Sequence, residues 1–322
     1  MRLGGLARYA CTVRSETDLL EALTWASDHS LKFRVIGTGS NVFWHDEGYD
    51  GLVIINKLEG FTILDGDRVQ IGSGMDWDGA VAETVSHGLS GIEFLSLIPG
   101  TTGASPVQNV GAYGREIKDV LVSLRAYDTL KKDFAELSAA DCGFGYRTSR
   151  FKTTDAGRFI ITTITLQLSA EPPKPPFYDS LQKYLDADNA TDYTAASIRE
   201  AVIAIRSAKM PDPAAVANNG SFFANPFIAV EQFESLQKDF PGIVGWPFDG
   251  QVKVAAGWLV EQAGFNDFHD QHTGMATWHA QNLVLVNEHA RSTADLLTFK
   301  QKIVDAVQAK FGITLEQEPE LL

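Results

Sequence analysis

Apolar positions recur along the chain in short blocks that switch between helical and extended spacing. Leu19, Leu20, Leu23 and Ala26 follow Ser15 and Asp18, a serine and an acid three residues apart that suit a capping box, so a helix begins after Ser15. Phe33–Ile36 and residues 52–55 are short apolar runs, and the opening segment reads as β-α-β. Arg68–Gly72 predicts a strand, residues 77–87 a helix stopped by Gly88, and the alternation of Val120, Val122, Leu124 and Ala126 another strand. Ile160, Ile164, Leu166 and Leu168 give a later strand one apolar face before a proline cluster at 171–176 interrupts regular structure.

Ile198, Val202 and Ile205 mark a further helix, which Pro211 and Pro213 stop, and a domain boundary is expected near there. The last helix starts at Ser292 with Asp295 as its N-terminal partner. It carries Leu296, Phe299, Ile303, Val307 and Phe311 on one face and stops at Gly312. A final strand is predicted at 313–315, leading to Glu320. No fixed-period repeat occurs, which excludes solenoids and propellers. The pattern is that of a mixed α+β protein, and 322 residues suffice for two or three domains.

Charge narrows the partners. The net charge of −14 and the absence of a Lys/Arg run argue against nucleic acid, while a few local cations and N–H groups still permit an anionic small substrate. Only Cys11 and Cys142 occur, far apart, so neither a disulfide framework nor a cysteine zinc site is expected, and no other metal site is indicated. No stretch approaches the roughly 20 apolar residues of a membrane span, and a cytoplasmic location is expected.

Two glycine-rich segments carry the candidate chemistry. Gly37-Thr38-Gly39-Ser40-Asn41 follows a strand, and its successive N–H groups suit a pyrophosphate; the same residues suit a tight turn. It lacks the third glycine and the following helix of a Rossmann fingerprint. Residues 98–114, IPGTTGASPVQNVGAYG, interleave glycines with polar residues, a composition that points to an accessible loop rather than core. Backbone groups, Gln and Asn there can match the donor and acceptor edge of an isoalloxazine ring.

GTGSN at 37–41, the 98–114 stretch, CGFGYRTSRFK at 142–152 and GSFFANP at 220–226 together resemble the UDP-N-acetylenolpyruvoylglucosamine reductase family, and AGWLVEQAG at 256–264 and EPE at 318–320 extend the match. The resemblance implies an FAD-binding fold of the vanillyl-alcohol-oxidase (PCMH) type. Residues 1–58 would form one FAD-binding subdomain, 59–206 with 300–322 a second, and 207–299 a substrate-binding α+β domain. It further implies non-covalent FAD, NADPH as co-substrate, an enolpyruvyl nucleotide as the group reduced, and a monomer.

The same resemblance assigns individual residues. Gly37, Thr38, Gly39, Ser40, Asn41, Gly100, Thr101, Ser105, Gln108, Asn109, Gly111, Ala112 and Tyr113 fall at cofactor-binding positions. Arg147 matches the arginine on the substrate carboxylate, Ser221 the serine that protonates C2, and Glu320 the acid that stabilises the developing enolate. That last role requires a raised pKa from burial or a neighbouring acid. Tyr178, the tyrosine of the longer type I members, matches a residue over the nucleotide diphosphate; Lys209 and Asn225 match further substrate contacts. Without the resemblance, Arg147 reads as a surface ion-pair partner, Ser221 as a turn serine, Glu320 as a solvated tail carboxylate and Lys209 as a helix C-terminal charge.

Three departures stand out: Asn266 where relatives often carry a base, Asn282 in place of a glutamine, and few residues beyond Glu320 to hold its strand. Two rival readings remain, a flavoenzyme of the same fold acting on an alcohol or sugar, and a catalytically silent nucleotide-binding protein.

Overall fold

The computed structural model describes residues 1–188 and 191–322. The chain divides into two compact units, one formed by Ala7–Ser40 and Asp50–Arg206, the other by Met1–Leu6, Asn41–Tyr49 and Ser207–Leu322. They are called here the N-terminal and C-terminal units.

The N-terminal unit opens with a three-stranded sheet in the order Ala7–Val13, Tyr49–Asn56, Phe33–Ile36, in which the last two strands run parallel. Helix α1 (Glu16–Asp28) is capped by Ser15, whose hydroxyl oxygen accepts from the Asp18 N–H at 3.0 Å. A small core of Val13, Leu19, Ala26, Leu52, Ile54, Leu58 and Ile160 joins helix and sheet.

Next comes a five-stranded antiparallel sheet, ordered Asp133–Ser138, Leu121–Asp128, Phe159–Gln167, Arg68–Gly72, Phe61–Leu64. Helix α2 (Trp77–Ser86) packs in the same core, and the indole N–H of buried Trp77 donates to the Leu95 carbonyl at 2.9 Å. The expected alternation from Val120 to Ala126 fails at its start. A register shift between Thr165 and Leu166, opposite Ser123 and Leu121, turns Leu121 inward and leaves Val122 exposed. Helices α3 (Asp179–Ala187) and α4 (Ala195–Lys209) pack Leu181, Leu185, Ile198, Val202 and Ile205 around Phe94.

The C-terminal unit holds a four-stranded sheet ordered Ala217–Ser221, Gln281–Asn287, Met275–Trp278, His269–Asp270, and a three-stranded sheet ordered Phe227–Ala229, Gln251–Val254, Gly245–Phe248. Its helices are α5 (Val230–Asp239), α6 (Ala256–Gln262) and α7 (Thr293–Phe311). Helix α7 begins in a full capping box between Ser292 and Asp295 and ends at Gly312, whose φ of 66° is left-handed. Leu296, Phe299, Ile303, Val307 and Phe311 are all buried on one stripe, each worth about 1.5–3 kcal/mol of burial.

Two expectations change here. Residues 300–322 pack with 207–299, because the α7 stripe shares one core with Phe222, Leu259, Met275 and Leu285. Residues 313–315 form no strand; Ile313 and Leu315 are buried without a backbone partner strand, and the terminal strand is Glu320–Leu321, parallel to Val42–Phe43. Among the described residues no helix is long and apolar enough to cross a membrane.

Candidate active site

In the N-terminal unit the strand Phe33–Ile36 delivers Gly37 to Ser40 against the stretch 98–114. The Ser40 hydroxyl donates to the Pro99 carbonyl at 3.1 Å, and Gly37 lies so close to Thr101 that a Cβ on it would meet Thr101 Oγ1 at 2.3 Å. Gly39 and Gly100 adopt φ values of 74° and 143°, which glycine accommodates without a Cβ penalty. Among the described residues the N–H groups of Thr38 and Gly39 donate to no other backbone group.

Polar residues of 98–114 turn out to be largely buried, contrary to the accessible loop that composition suggested: Thr101, Thr102, Ser105 and Asn109 are at most 3% exposed. Internal partners make this possible. The Thr102 N–H donates to the Met75 carbonyl, Gly103 N–H to Ser73, and the Ser105 hydroxyl to the Thr102 carbonyl at 2.7 Å. Both donors of the Asn109 amide are used, on Glu116 Oε2 and the Gly145 carbonyl, each at 2.9 Å. Its side chain therefore braces the loop from within. Gly111–Ala112 pairs with Arg115–Glu116 as a short hairpin.

Half-buried Arg147 sits at a turn bounded by the Gly145–Thr148 bridge and has φ of 54°, a left-handed conformation that costs a non-glycine residue about 1–2 kcal/mol. Its Nη2 donates to the Gly111 carbonyl at 2.7 Å. Below it, Arg150 pairs with Asp155 at 2.7 Å, and Arg158 joins Asp155 to the buried Asp128, so alternating charges clamp the base of the 142–158 loop. Arg158 holds the Asp128 carboxyl far below its ordinary range.

Tyr113 and Tyr178 meet edge to face with centroids 6.0 Å apart. Burial pushes the Tyr113 hydroxyl up, and burial also lowers Arg206, which interacts electrostatically with Tyr113 and whose Nε donates to the Leu97 carbonyl at 3.3 Å. No motif singled out Arg206; the sequence signal was a cation on α4 beside Ile205, on the edge of its apolar face.

The C-terminal unit brings the segment that follows Ser221 against the 317–318 part of the tail. Glu318 N–H donates to the Phe222 carbonyl, Gln317 bridges Phe223, and Asn219 Nδ2 donates to the carbonyl of Val42, whose strand pairs with Glu320. Asn41, grouped by sequence with the glycine turn, belongs to this unit: its carbonyl accepts the Glu320 N–H at 3.0 Å. Further bonds from Leu322 N–H to Phe43 and from His45 N–H to Leu322 secure the tail, so the fraying expected of it is opposed by a ladder. The Glu320 side chain is exposed.

Asn225 Oδ1 accepts from Ala256 N–H at 2.9 Å, at the start of α6, and Asn282 Nδ2 donates to the Gly257 carbonyl one residue on. Asn282 is thus a buried support of α6. Lys209 ends α4 and is exposed, as is Asn266. Across the three-stranded sheet, Lys253 Nζ lies 5.7 Å from the Trp246 ring and 5.8 Å from the Phe248 ring, while Phe227 and Phe248 are 5.0 Å apart. Trp246 and Phe248 are exposed, which makes a cationic aromatic platform that no motif announced.

The glycine loops, the opening three-stranded sheet and the strands Phe61–Leu64, Arg68–Gly72 and Leu121–Asp128 fall within residues 7–130, which match the family model described as an FAD binding domain, and the chain is an FAD-dependent oxidoreductase. Residues 212–322 match a second model, the C-terminal domain of UDP-N-acetylenolpyruvoylglucosamine reductase. Proteins of that name from Ralstonia nicotianae and Pseudomonas syringae pv. syringae are 43% and 41% identical, covering 99% and 98% of this chain and 94% and 93% of their own. The chain belongs to the UDP-N-acetylenolpyruvoylglucosamine reductase family. The solved reductase of Thermus caldophilus shares its fold, with a TM-score of 0.66 at 22% identity over 97% of this chain and 91% of that one.

Proposed function

We propose that this protein reduces UDP-N-acetylenolpyruvoylglucosamine to UDP-N-acetylmuramate with NADPH, as a cytoplasmic monomer serving peptidoglycan synthesis. The observation that carries the reading is near full-length similarity to reductases of that name, and the resemblance of the motifs assigns Arg147, Ser221 and Glu320 to the reaction. Thr38 and Gly39 N–H groups, and the close backbone approach at Gly37, fit the pyrophosphate of FAD. Bound there, FAD would supply two-electron chemistry between NADPH and the enolpyruvyl group.

The residues handle the charge and the proton. Hydride addition at C3 leaves negative charge at C2 and on the adjoining carboxylate, where a fixed guanidinium is most useful. Arg147 is held by the Gly111 carbonyl and needs little reorganisation to receive that carboxylate. Ser221 delivers a proton to C2, for which an ordinary hydroxyl suffices because the intermediate is strongly basic. Glu320 is assigned to stabilise the developing enolate.

Lys209, Asn225 and Tyr178 are assigned to the nucleotide diphosphate. The platform of Trp246, Phe248 and Lys253 suits a flat nucleobase.

Reduce the flavin anaerobically with NADPH, then add the enolpyruvyl nucleotide and follow absorbance. Prompt recovery of the oxidised spectrum is expected. A spectrum that stays reduced would rule the reading out and favour a silent nucleotide-binding protein or an oxidase of the same fold.

A further inference from the structure

We infer that Asn109 is a positioning residue that latches the Arg147 turn to the glycine-rich stretch and thereby aims the guanidinium, rather than a contact to the cofactor. The inference rests on the proposed role of Arg147 in holding the substrate carboxylate.

The geometry is that of a fully committed buried amide. Asn109 is 0% exposed and has φ of 48°, a left-handed conformation that asparagine tolerates better than most residues. An amide has two N–H donors and a carbonyl acceptor. Both donors are taken, by Glu116 Oε2 and the Gly145 carbonyl at 2.9 Å each, and the carbonyl accepts from Lys118 N–H at 3.2 Å. Flipping the amide would set its oxygen against a carboxylate and a carbonyl, so the network itself fixes the orientation.

Three segments meet at this one side chain, and the one that matters chemically is the turn. Gly145 and Thr148 exchange backbone hydrogen bonds of 3.0 and 3.4 Å, and Arg147 lies between them. On the far side of the turn, Ser149, 1% exposed, donates from Oγ to the Val107 carbonyl at 2.6 Å. The turn is therefore tied to the stretch 107–111 before Arg147 by Asn109, after it by Ser149, and at its tip by Arg147 Nη2 on Gly111. Loss of either outer tie leaves a left-handed arginine on a turn with one anchor fewer, and a misplacement of about 1 Å in a reacting group costs on the order of a hundredfold in rate.

The test uses the flavin-loaded protein and the variants Asn109→Asp, Asn109→Ala and Ser149→Ala. Asn109→Asp keeps the size and the acceptor but turns a donor pair into a carboxylate facing a carboxylate and a carbonyl. Flavin reoxidation by the enolpyruvyl nucleotide should slow on the order of tenfold to a hundredfold, with weaker equilibrium binding of that nucleotide. Reduction by NADPH and FAD affinity should stay within about twofold. Amide hydrogen exchange across residues 143–150 should quicken, and in an Arg147→Ala background the Asn109 change should add nothing further, as a residue acting through Arg147 requires.

Loss of FAD affinity, or equal slowing of both half-reactions, would overturn the inference in favour of a cofactor contact or a merely structural role. Should the Asn109 variants fail to fold, Ser149→Ala, a smaller deletion on the other side of the turn, must give the same pattern or the latch is refuted. If the unaltered protein is not reoxidised by the nucleotide, the functional reading fails, while hydrogen exchange and FAD affinity still decide whether Asn109 holds the turn.

Discussion

Replacing Gly37 by alanine places one methyl group where the two glycine-rich loops touch. The added Cβ would stand 2.3 Å from Thr101 Oγ1, 2.9 Å from its Cγ2 and 3.1 Å from its Cβ. Thr101 is buried and cannot swing into solvent, so relief requires the loops to part by about 1 Å, an overpacking cost of about 1–3 kcal/mol. If the loops stay in place the cost appears as lost stability. If they part, bound FAD must draw them together again and the cost appears as roughly 5- to 150-fold weaker binding. Thermal melting of the apoprotein and FAD titration by fluorescence quenching together recover the sum. Thr101→Ala removes the two nearest atoms and should restore most of the loss in the double variant. Unchanged melting and FAD affinity in Gly37→Ala, or no rescue by Thr101→Ala, would refute the close approach.

Other expectations are equally direct. Ser221→Ala should leave flavin reduction by NADPH intact and slow reoxidation by the enolpyruvyl nucleotide by several orders of magnitude in stopped-flow absorbance, whereas equal loss of both would indicate misfolding. Phe299→Ala should destabilise by about 3–5 kcal/mol in urea unfolding, since Phe299 is 0% exposed and packs between Phe265 and Phe268. Burial works to raise the Asp78 carboxyl, but Arg199 at 2.6 Å and the Leu97 N–H overcome it and hold it below its ordinary value. The stability it contributes is complete above the unfolded value of about 4 and is lost as pH falls through the lower folded value. Asp78→Asn should therefore flatten the urea midpoint between about pH 5 and pH 3. Acid precipitation should release all yellow colour, because no histidine lies in 37–41 or 98–114; colour retained in the pellet would show a covalent flavin.

Elements whose boundaries are local chemistry were legible from the chain alone. The serine and aspartate of α7, its apolar stripe and its terminal glycine are sequence neighbours, so a window of one helix holds all that defines it. The same holds for α1 and for the strand Arg68–Gly72. The motifs at 37–41, 98–114, 142–152, 220–226 and 318–320 pointed to the family because they are contiguous strings, and the candidate residues Arg147, Ser221 and Glu320 were found as members of those strings.

What escaped is what depends on distant partners. The terminal strand lies at 320–321 rather than 313–315 because its ladder is Val42–Phe43, which no local pattern names, and Ile313 and Leu315 use their apolar side chains in the core instead. Val122 faces outward because it is the extra residue of a bulge in its own strand, left unpaired where Ser123 and Leu121 meet the consecutive Thr165 and Leu166. The polar stretch 98–114 read as accessible because polarity is visible in a sequence and hydrogen-bond satisfaction is not; Met75, Ser73, Glu116 and Gly145 are what allow its residues to be buried. Sequence thus determined the elements, the family and the residue types available for chemistry. Tertiary structure alone decided which of those polar groups are spent on holding the loops, because pairing of buried donors and acceptors is settled between segments and not within them.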